Sequence, residues 1–549
     1  MRCLDFSERG VETMNQFSDS GIRGNRRGFS VLRILLLFCL ATAVGCSPQT
    51  VAVITTVEVI KTVEVEKVVV QTMPPAEEAP ATAKPAEKIA SPTLSPEEMH
   101  TRYMLRARYN HADHSLAVEQ RILYTNTTGE SLANFVLMVE PNWHPGVFQL
   151  TRLVWIPYMD ETESALPSPM PWGDVMEIMD GYFLEGNRLT APLPQLLPPG
   201  GQAALEIGFT LLLPPIPEDS EEYKPVPFGY TERQVNLVDW YPFLPPYRQD
   251  EGWLAHAPWY YGEHQVYDVA DYAVEFETSG SVEPLVLAAS APPESQRGNL
   301  TRYRLEQVRN FVVSISPYYQ VYTRQVDGVT ISSYGLPYFE SGAQAALQYT
   351  AEALVVYNQL FGPYPHRNLS VVVADFLDGM EYDGLYFLSR GFYNTYDGTP
   401  ANYLAMIAVH ETAHQWWYAQ VGNDQALEPW LDEALCTYSE RLFYERMYPD
   451  LSAWWWAYRV DFYEPAGLAG GAVYEYTGFR PYRDAVYLRG AQFLEALRRQ
   501  VGDDTFLQFL KDYAGRMAGK QATAEDFFAI LAEHSTENIS RLRQEYFGK

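Results

Sequence analysis

Two hydrophobic textures divide the chain. From about residue 101 to 317, short runs alternate apolar and polar positions, and turn-forming stretches separate them. Runs at 103–109, 116–124, 135–139, 204–209, 272–276, 285–289 and 311–315 have the period of half-buried strands. Asn126-Thr127-Thr128-Gly129 and Pro198-Pro199-Gly200-Gly201 supply turns between them. The pattern predicts an antiparallel β-sandwich domain over 99–320. From about residue 342 the period lengthens: 343–360 predicts a helix, 369–375 a buried strand, and helical patterns dominate 488–531. A mainly helical domain over 321–549 follows, so the fold class is multidomain α+β.

The strongest chemical signal lies in that second part. His410-Glu411-Thr412-Ala413-His414 places two histidines four residues apart. On a helix that spacing puts both imidazoles on one face, one turn apart, within reach of one metal ion. Thr399-Pro400 reads as N-cap and first residue of this helix, with Leu404, Ile407, Ala408 and Trp416 at apolar positions and Gly422 as its stop. Pro429 then opens a returning helix whose first turns carry Glu433. The fold-back predicts a site of His410, His414 and Glu433 with a fourth position open, the arrangement of a catalytic rather than a structural zinc. Glu411 stands where it can take a proton from water. Glu440, seven residues after Glu433, shares its helix face and is a candidate partner for a zinc-bound histidine; Asp432 is another. The sequence reads as a zinc peptidase with one Zn²⁺ per chain.

Composition narrows the setting. The 549 residues leave room for two or three domains, and a hydrophobic content of 47% excludes a disordered chain. A net charge of −29 disfavours nucleic acid and anionic surfaces as partners and describes a self-repelling surface. Cys3, Cys39, Cys46 and Cys436 form no recognisable disulfide framework, and Cys436 reads as a buried small apolar residue. His111, His114, His144, His256 and His264 are scattered through the β part and read as surface or packing residues.

The N-terminus reads as an export signal over 1–45. Arginines at 23, 26, 27 and 33 precede or enter an apolar stretch, 34–44, too short to span a bilayer. It ends Ala43-Val44-Gly45-Cys46, which resembles a bacterial lipobox with Cys46 as the lipidated residue. Residues 46–98 read as a stalk: Thr-Val-Glu-Val occurs twice, at 56–59 and 62–65, before a Pro/Ala/Glu/Lys stretch that cannot build a core. The expectation is an extracytoplasmic protein tethered to a membrane through Cys46.

The motifs of the second domain resemble the aminopeptidase N and leukotriene hydrolase family of zinc aminopeptidases, the gluzincins. His410-Glu411-x-x-His414 is followed after eighteen residues by Glu433 within Trp-Leu-Asp-Glu-Ala. Upstream, Asp378-Gly379-Met380-Glu381-Tyr382 resembles the family's Gly-x-Met-Glu-Asn loop; downstream, Val486-Tyr487-Leu488-Arg489-Gly490-Ala491 resembles its Tyr-Glu-Lys-Gly segment. The resemblance implies a thermolysin-like catalytic domain behind the β domain. It also implies that Glu381 pairs with a peptide's free α-ammonium group and that Tyr487 donates a hydrogen bond to the oxyanion, with Tyr474, Tyr476 and Tyr482 as nearby alternatives. Gly379 and Met380 would line the peptide's path, with the nearby strand offering an edge for peptide binding. Two departures stand out: Asp378 replaces the loop's first Gly, and Tyr382 its Asn. The large helical C-terminal domain of the best-known members is not expected here, which implies a more open cleft.

Three functions are consistent with these residues. The first is an aminopeptidase acting on peptides with a free N-terminus. A thermolysin-type endopeptidase would also cut blocked peptides, and a binding protein on a retired peptidase scaffold would have no use for Glu411.

Overall fold

A computed structural model describes residues 100–156, 181–217 and 226–548, all within one compact unit. The export signal, the stalk and Cys46 lie outside the described residues. No helix among the described residues is long and apolar enough to cross a membrane.

The first part is built on a seven-stranded sheet. Its order is Ser295–Arg297, Leu300–Val308, Ala270–Ser279, Thr101–Asn110, Ser115–Thr125, Gln202–Leu212 and Phe148–Ile156. Strand alternation is clear in Ala270–Ser279, where every second side chain is buried through the first seven residues. A three-stranded sheet (Leu132–Met138, Arg188–Leu197, Phe183–Glu185), a four-stranded one (Val286–Ala289, Val313–Ser316, Val235–Leu237, Gly229–Tyr230) and a short two-stranded one (Tyr247–Arg248, Gly252–Trp253) complete the described residues of this part. One pairing departs from an all-antiparallel domain: Thr101–Asn110 runs parallel to Ala270–Ser279 in the centre of the large sheet. Strands so far apart in sequence are joined by a long excursion rather than a hairpin, so direction is not fixed by a turn.

The second part opens with strands rather than helices. Gln320–Val326, Val329–Gly335, Asn368–Ala374, Leu385–Ser389 and Gly379–Tyr382 form a five-stranded sheet in that order. The middle three are mutually parallel. Helix Glu340–Phe361 is the crossover between the first parallel pair and buries an alanine-rich face. Gly379–Tyr382 is the edge strand, antiparallel to Leu385–Ser389. Helices Tyr403–Ala413 and Trp430–Met447 follow, then Gly490–Val501, Asp503–Met517, Ala524–His534 and Ser540–Phe547.

The two parts are stitched together by Arg309, which is 2% exposed. Its guanidinium donates to the carbonyls of Tyr267 (2.8 Å) and Ala419 (2.9 Å). It also reaches those of Lys520 (3.0 Å) and Gln420 (3.2 Å). Its backbone N–H donates to the buried carboxylate of Asp383 at 3.0 Å. Gly422 lies against that guanidinium: a β-carbon there would sit 2.5 Å from Arg309 Cζ. Gly422 is therefore a close-approach glycine in a short strand, not the stop of the histidine helix expected from its position.

Candidate metallopeptidase site

The histidine helix starts three residues later than its sequence suggests. Asn402 is the N-cap, its side chain accepting from the Ala405 N–H at 3.1 Å. Thr399 instead donates its hydroxyl to Asp397 in the preceding turn. The helix ends at Ala413, and His414 caps it with helical dihedrals. Residues 414–421 form turns rather than a further helical stretch, and Trp416 and Trp417 are both buried there. Trp416 Nε1 donates to the Gly362 carbonyl, and Trp417 Nε1 to Ser439 Oγ.

The returning helix has Pro429 as its N-cap residue and brings Glu433 opposite the histidines. Glu433 Oε2 is 3.2 Å from His410 Nε2 and 3.7 Å from His414 Nε2. Donors of these types around one tetrahedral ion at 2.0–2.2 Å stand about 3.4 Å from one another. The three atoms are thus already placed for a shared cation. The opposite ring nitrogens are held from behind: His410 Nδ1 by Glu440 Oε1 at 2.8 Å, and His414 Nδ1 by Asp432 Oδ1 at 2.7 Å. That fixes the tautomers so that both Nε2 lone pairs face Glu433. The donor set fits zinc.

Each supporting carboxylate has its own partners, which no motif or spacing marks. Arg459 grips Glu440 with Nε and Nη2, and Trp455 Nε1 donates to Oε2 at 2.9 Å. Burial opposes ionisation of Glu440, but Arg459 and then His410 outweigh it and hold the carboxyl below the usual range. Gln425 Nε2 donates to Asp432 Oδ2 at 2.7 Å and lies 3.2 Å from Glu381 Oε1. Cys436 is fully buried, its Sγ 3.9 Å from Asp432 Oδ1.

Glu411 is 4% exposed, and its Oε2 has no hydrogen-bond partner. Burial pushes its carboxyl well above the usual carboxylate range; Glu381 and Glu433 push the same way, and His414 opposes them. Tyr487 sits on a wide π turn, Asp484–Arg489, and its hydroxyl donates to Glu433 Oε1 at 2.5 Å. Its ring lies parallel to the His410 imidazole, 6.1 Å between centroids. Burial, then the Glu433 charge, raises the phenol well above 10, so it remains a neutral donor. Gly490 permits this approach, since a β-carbon there would collide with Ala434 on the returning helix.

Of the alternative tyrosines, Tyr474 and Tyr476 are turned elsewhere, donating to the carbonyls of Ala257 and Leu468. Tyr482 is buried with an unpartnered hydroxyl and meets Tyr487 edge-on at 5.8 Å.

Gly379, Met380 and Glu381 occupy the edge strand beside Glu411. Asp378, standing where the resembling loop has Gly, adopts φ +68° and accepts from the Gly379 N–H at 3.0 Å. Asp tolerates this left-handed conformation through such local bonding. Glu381 is buried, and burial drives its carboxyl well above the usual range. Carboxylate oxygens of Glu381, Glu433 and Glu263 lie within 4.8 Å of one another. A cavity of about 500 Å³ opens from this point, with Met380, Glu381, Tyr382 and Gln425 on its wall. Tyr418 adds to this side, and the remaining walls come from the β part, with His144 and His264 among them.

Residues 345–469 match the model of the peptidase family M1 domain. Aminopeptidase M1-A of Oryza sativa subsp. japonica is 26% identical over 252 residues, covering 42% of this chain and 28% of the rice protein. Aminopeptidase M1 of Arabidopsis thaliana is 26% identical over 246 residues, with the same coverage of each. The matched stretch thus spans little more than a quarter of these relatives. Among solved structures, the M1 zinc metallopeptidase of Deinococcus radiodurans superposes with a TM-score of 0.56 at 19% identity, covering 82% of this chain and 93% of that one. A two-domain M1 zinc metallopeptidase mutant bound to L-tryptophan gives 0.55 at 18%, covering 82% and 95%.

Proposed function

We propose that this chain, which carries a peptidase family M1 domain on the fold of two-domain M1 metallopeptidases, is a zinc-dependent aminopeptidase. His410, His414 and Glu433 would hold one zinc ion, and Glu440 and Asp432 would orient the imidazoles. When bound, the ion supplies Lewis-acid polarisation of the scissile carbonyl. Glu411 acts as general base: its unpartnered oxygen takes a proton from the attacking water and delivers it to the leaving amine. Tyr487 donates its phenolic proton in a hydrogen bond to the oxyanion.

Glu381 accepts the substrate's α-ammonium group, which registers the chain end against the reacting centre and restricts cleavage to the first peptide bond. Gly379 and Met380 border the peptide's path, and the edge strand they belong to can pair with an extended substrate. The observation that carries this reading is the convergence of two imidazole nitrogens and one carboxylate oxygen beside a buried glutamate with an unfilled acceptor.

The test compares wild type with Glu411→Gln on aminoacyl arylamides, with and without chelator, and on free against N-acetylated peptides. Turnover that needs metal and Glu411 and falls at least a hundredfold on acetylation is expected. Equal rates on blocked peptides would instead establish an endopeptidase, and metal-independent turnover in both proteins would end the enzyme reading.

The same reading includes export and tethering: lipidation of Cys46, with residues 46–98 as spacer, on the outer side of a membrane. It rests on the lipobox-like Ala43-Val44-Gly45-Cys46. Radiolabelled fatty acid should enter the wild type and not Cys46→Ser; labelling of both would remove the anchor.

A further inference from the structure

The cavity that begins at Glu381 has a distinctive chemistry. Its described lining includes the carboxylates of Glu140, Asp239 and Glu263 as well as Glu381, and no lysine or arginine. Trp143, Trp259 and Tyr260 give it aromatic walls. Gln265, 7% exposed, also lines the cavity. Two imidazoles, His144 and His264, reach the lining as well, and His264 Nε2 lies 3.3 Å from Glu140 Oε2. Asp239 is set apart from that pair. It holds φ +49° and accepts a hydrogen bond from the Tyr267 hydroxyl, which anchors its carboxylate in the cavity wall.

A side chain that suits this space is long, flat enough to slide between aromatic faces, positively charged, and rich in donors. Aromatic faces attract cations. Carboxylates match the guanidinium fork. Resting on the aminopeptidase reading above, we propose that this cavity receives the side chain of the substrate's first residue and selects arginine, with lysine second. A residue whose α-nitrogen is held at Glu381 has its side chain beside Met380 and Tyr382, where the cavity opens. The overall negative charge of the protein is then not the source of this preference; a local set of carboxylates in an aromatic sleeve is.

The experiment measures kcat/KM for arginyl, citrullinyl, lysyl and leucyl arylamides on the full chain loaded with zinc. Citrulline has the shape of arginine without its charge, so the arginine-to-citrulline ratio isolates electrostatic selection from fit. The wild-type ratio is expected to be at least tenfold, with arginine also ahead of leucine. Asp239→Asn, whose new residue also tolerates a positive φ, is expected to lower the ratio at least threefold. Glu140→Gln reads the same ratio should that variant fail to fold. A wild-type ratio near one, or leucine ahead of arginine, with hydrolysis still confined to free N-termini, overturns this inference and leaves the aminopeptidase reading standing. A ratio unchanged in both variants overturns it as well. Absence of hydrolysis on every free substrate overturns both.

Discussion

The Cα of Gly379 faces the carboxylate of Glu411 so closely that no side chain fits between them. A β-carbon on Gly379 would sit 2.7 Å from Glu411 Cδ and 2.9 Å from Ile407 Cγ2, and would collide outright with Oε1. The position does not carry a positive φ, so glycine is required here by space rather than by backbone conformation. The edge strand that would bind substrate thereby also sets the position of the proposed general base.

Gly379→Ala should displace that carboxylate while leaving the fold intact. Misplacing a catalytic group by about 1 Å costs on the order of a hundredfold in rate. The expected result is a fall in kcat of at least tenfold with a melting temperature within a few degrees of wild type. Full activity in the alanine variant would show that Glu411 has another productive position.

Arg459→Met tests the support behind His410. The substitution leaves Glu440 fully buried with its guanidinium partner gone, facing only Trp455 and the imidazole. Breaking a buried pair in this way costs about 3–5 kcal/mol, and loss of a hydrogen-bonded support behind a ligand lowers metal affinity about 10–100-fold. Competition against a zinc-binding dye should read the affinity loss, and thermal unfolding the stability loss. A variant that melts earlier but keeps wild-type zinc affinity would reduce Arg459 to a packing residue.

The histidine pair, Glu433 and Tyr487 were legible in the sequence for different reasons. The pair depends only on helical spacing. Glu433 needs one reversal of the chain, which Pro429 marks. Tyr487 rests on the likeness of a short motif, and its neighbours could not be separated from it until Tyr474 and Tyr476 were seen bonding to distant carbonyls. Arg459, Trp455 and Gln425 left no trace, because each meets its carboxylate across elements with no shared period or motif. The cap at Asn402 was missed for a related reason: Thr399-Pro400 has the local form of a helix start, but Asp397 has taken the threonine's hydroxyl. The wall of the cavity was the least legible feature. Asp239 and Gln265 lie more than a hundred residues before Glu381 and meet it only through the packing of two parts held by Arg309.

Tyr487→Phe separates transition-state stabilisation from ground-state binding. The hydroxyl rests on Glu433 Oε1 in this structure and is proposed to donate to the oxyanion during the reaction. Losing one such donor costs about 10²–10³ in kcat, with KM changed little. Tyr482→Phe, which removes an unpartnered hydroxyl one ring away, should cost less than about threefold on the same principle. Equal losses in the two variants would mean that the phenols act as one unit.

A final prediction concerns pH and the seam between the two parts, away from the metal ligands. His366 Nε2 lies 3.2 Å from Asp383 Oδ1, while the other oxygen of Asp383 accepts from the Arg309 backbone. Burial pulls the His366 imidazole down, but the Asp383 carboxylate pulls it up further and leaves it above its ordinary 6.5. A group bound more tightly by its proton in the folded state stabilises that state fully below its unfolded value and loses the contribution as pH rises through the folded one. The stability that wild type holds over His366→Gln should therefore be largest near pH 6 and shrink as pH increases past neutrality. Denaturant unfolding of both proteins at several pH values checks this. A difference that stays constant, or grows with pH, would mean that His366 is held neutral and that Asp383 is balanced by the Arg309 guanidinium, which faces it from the same seam.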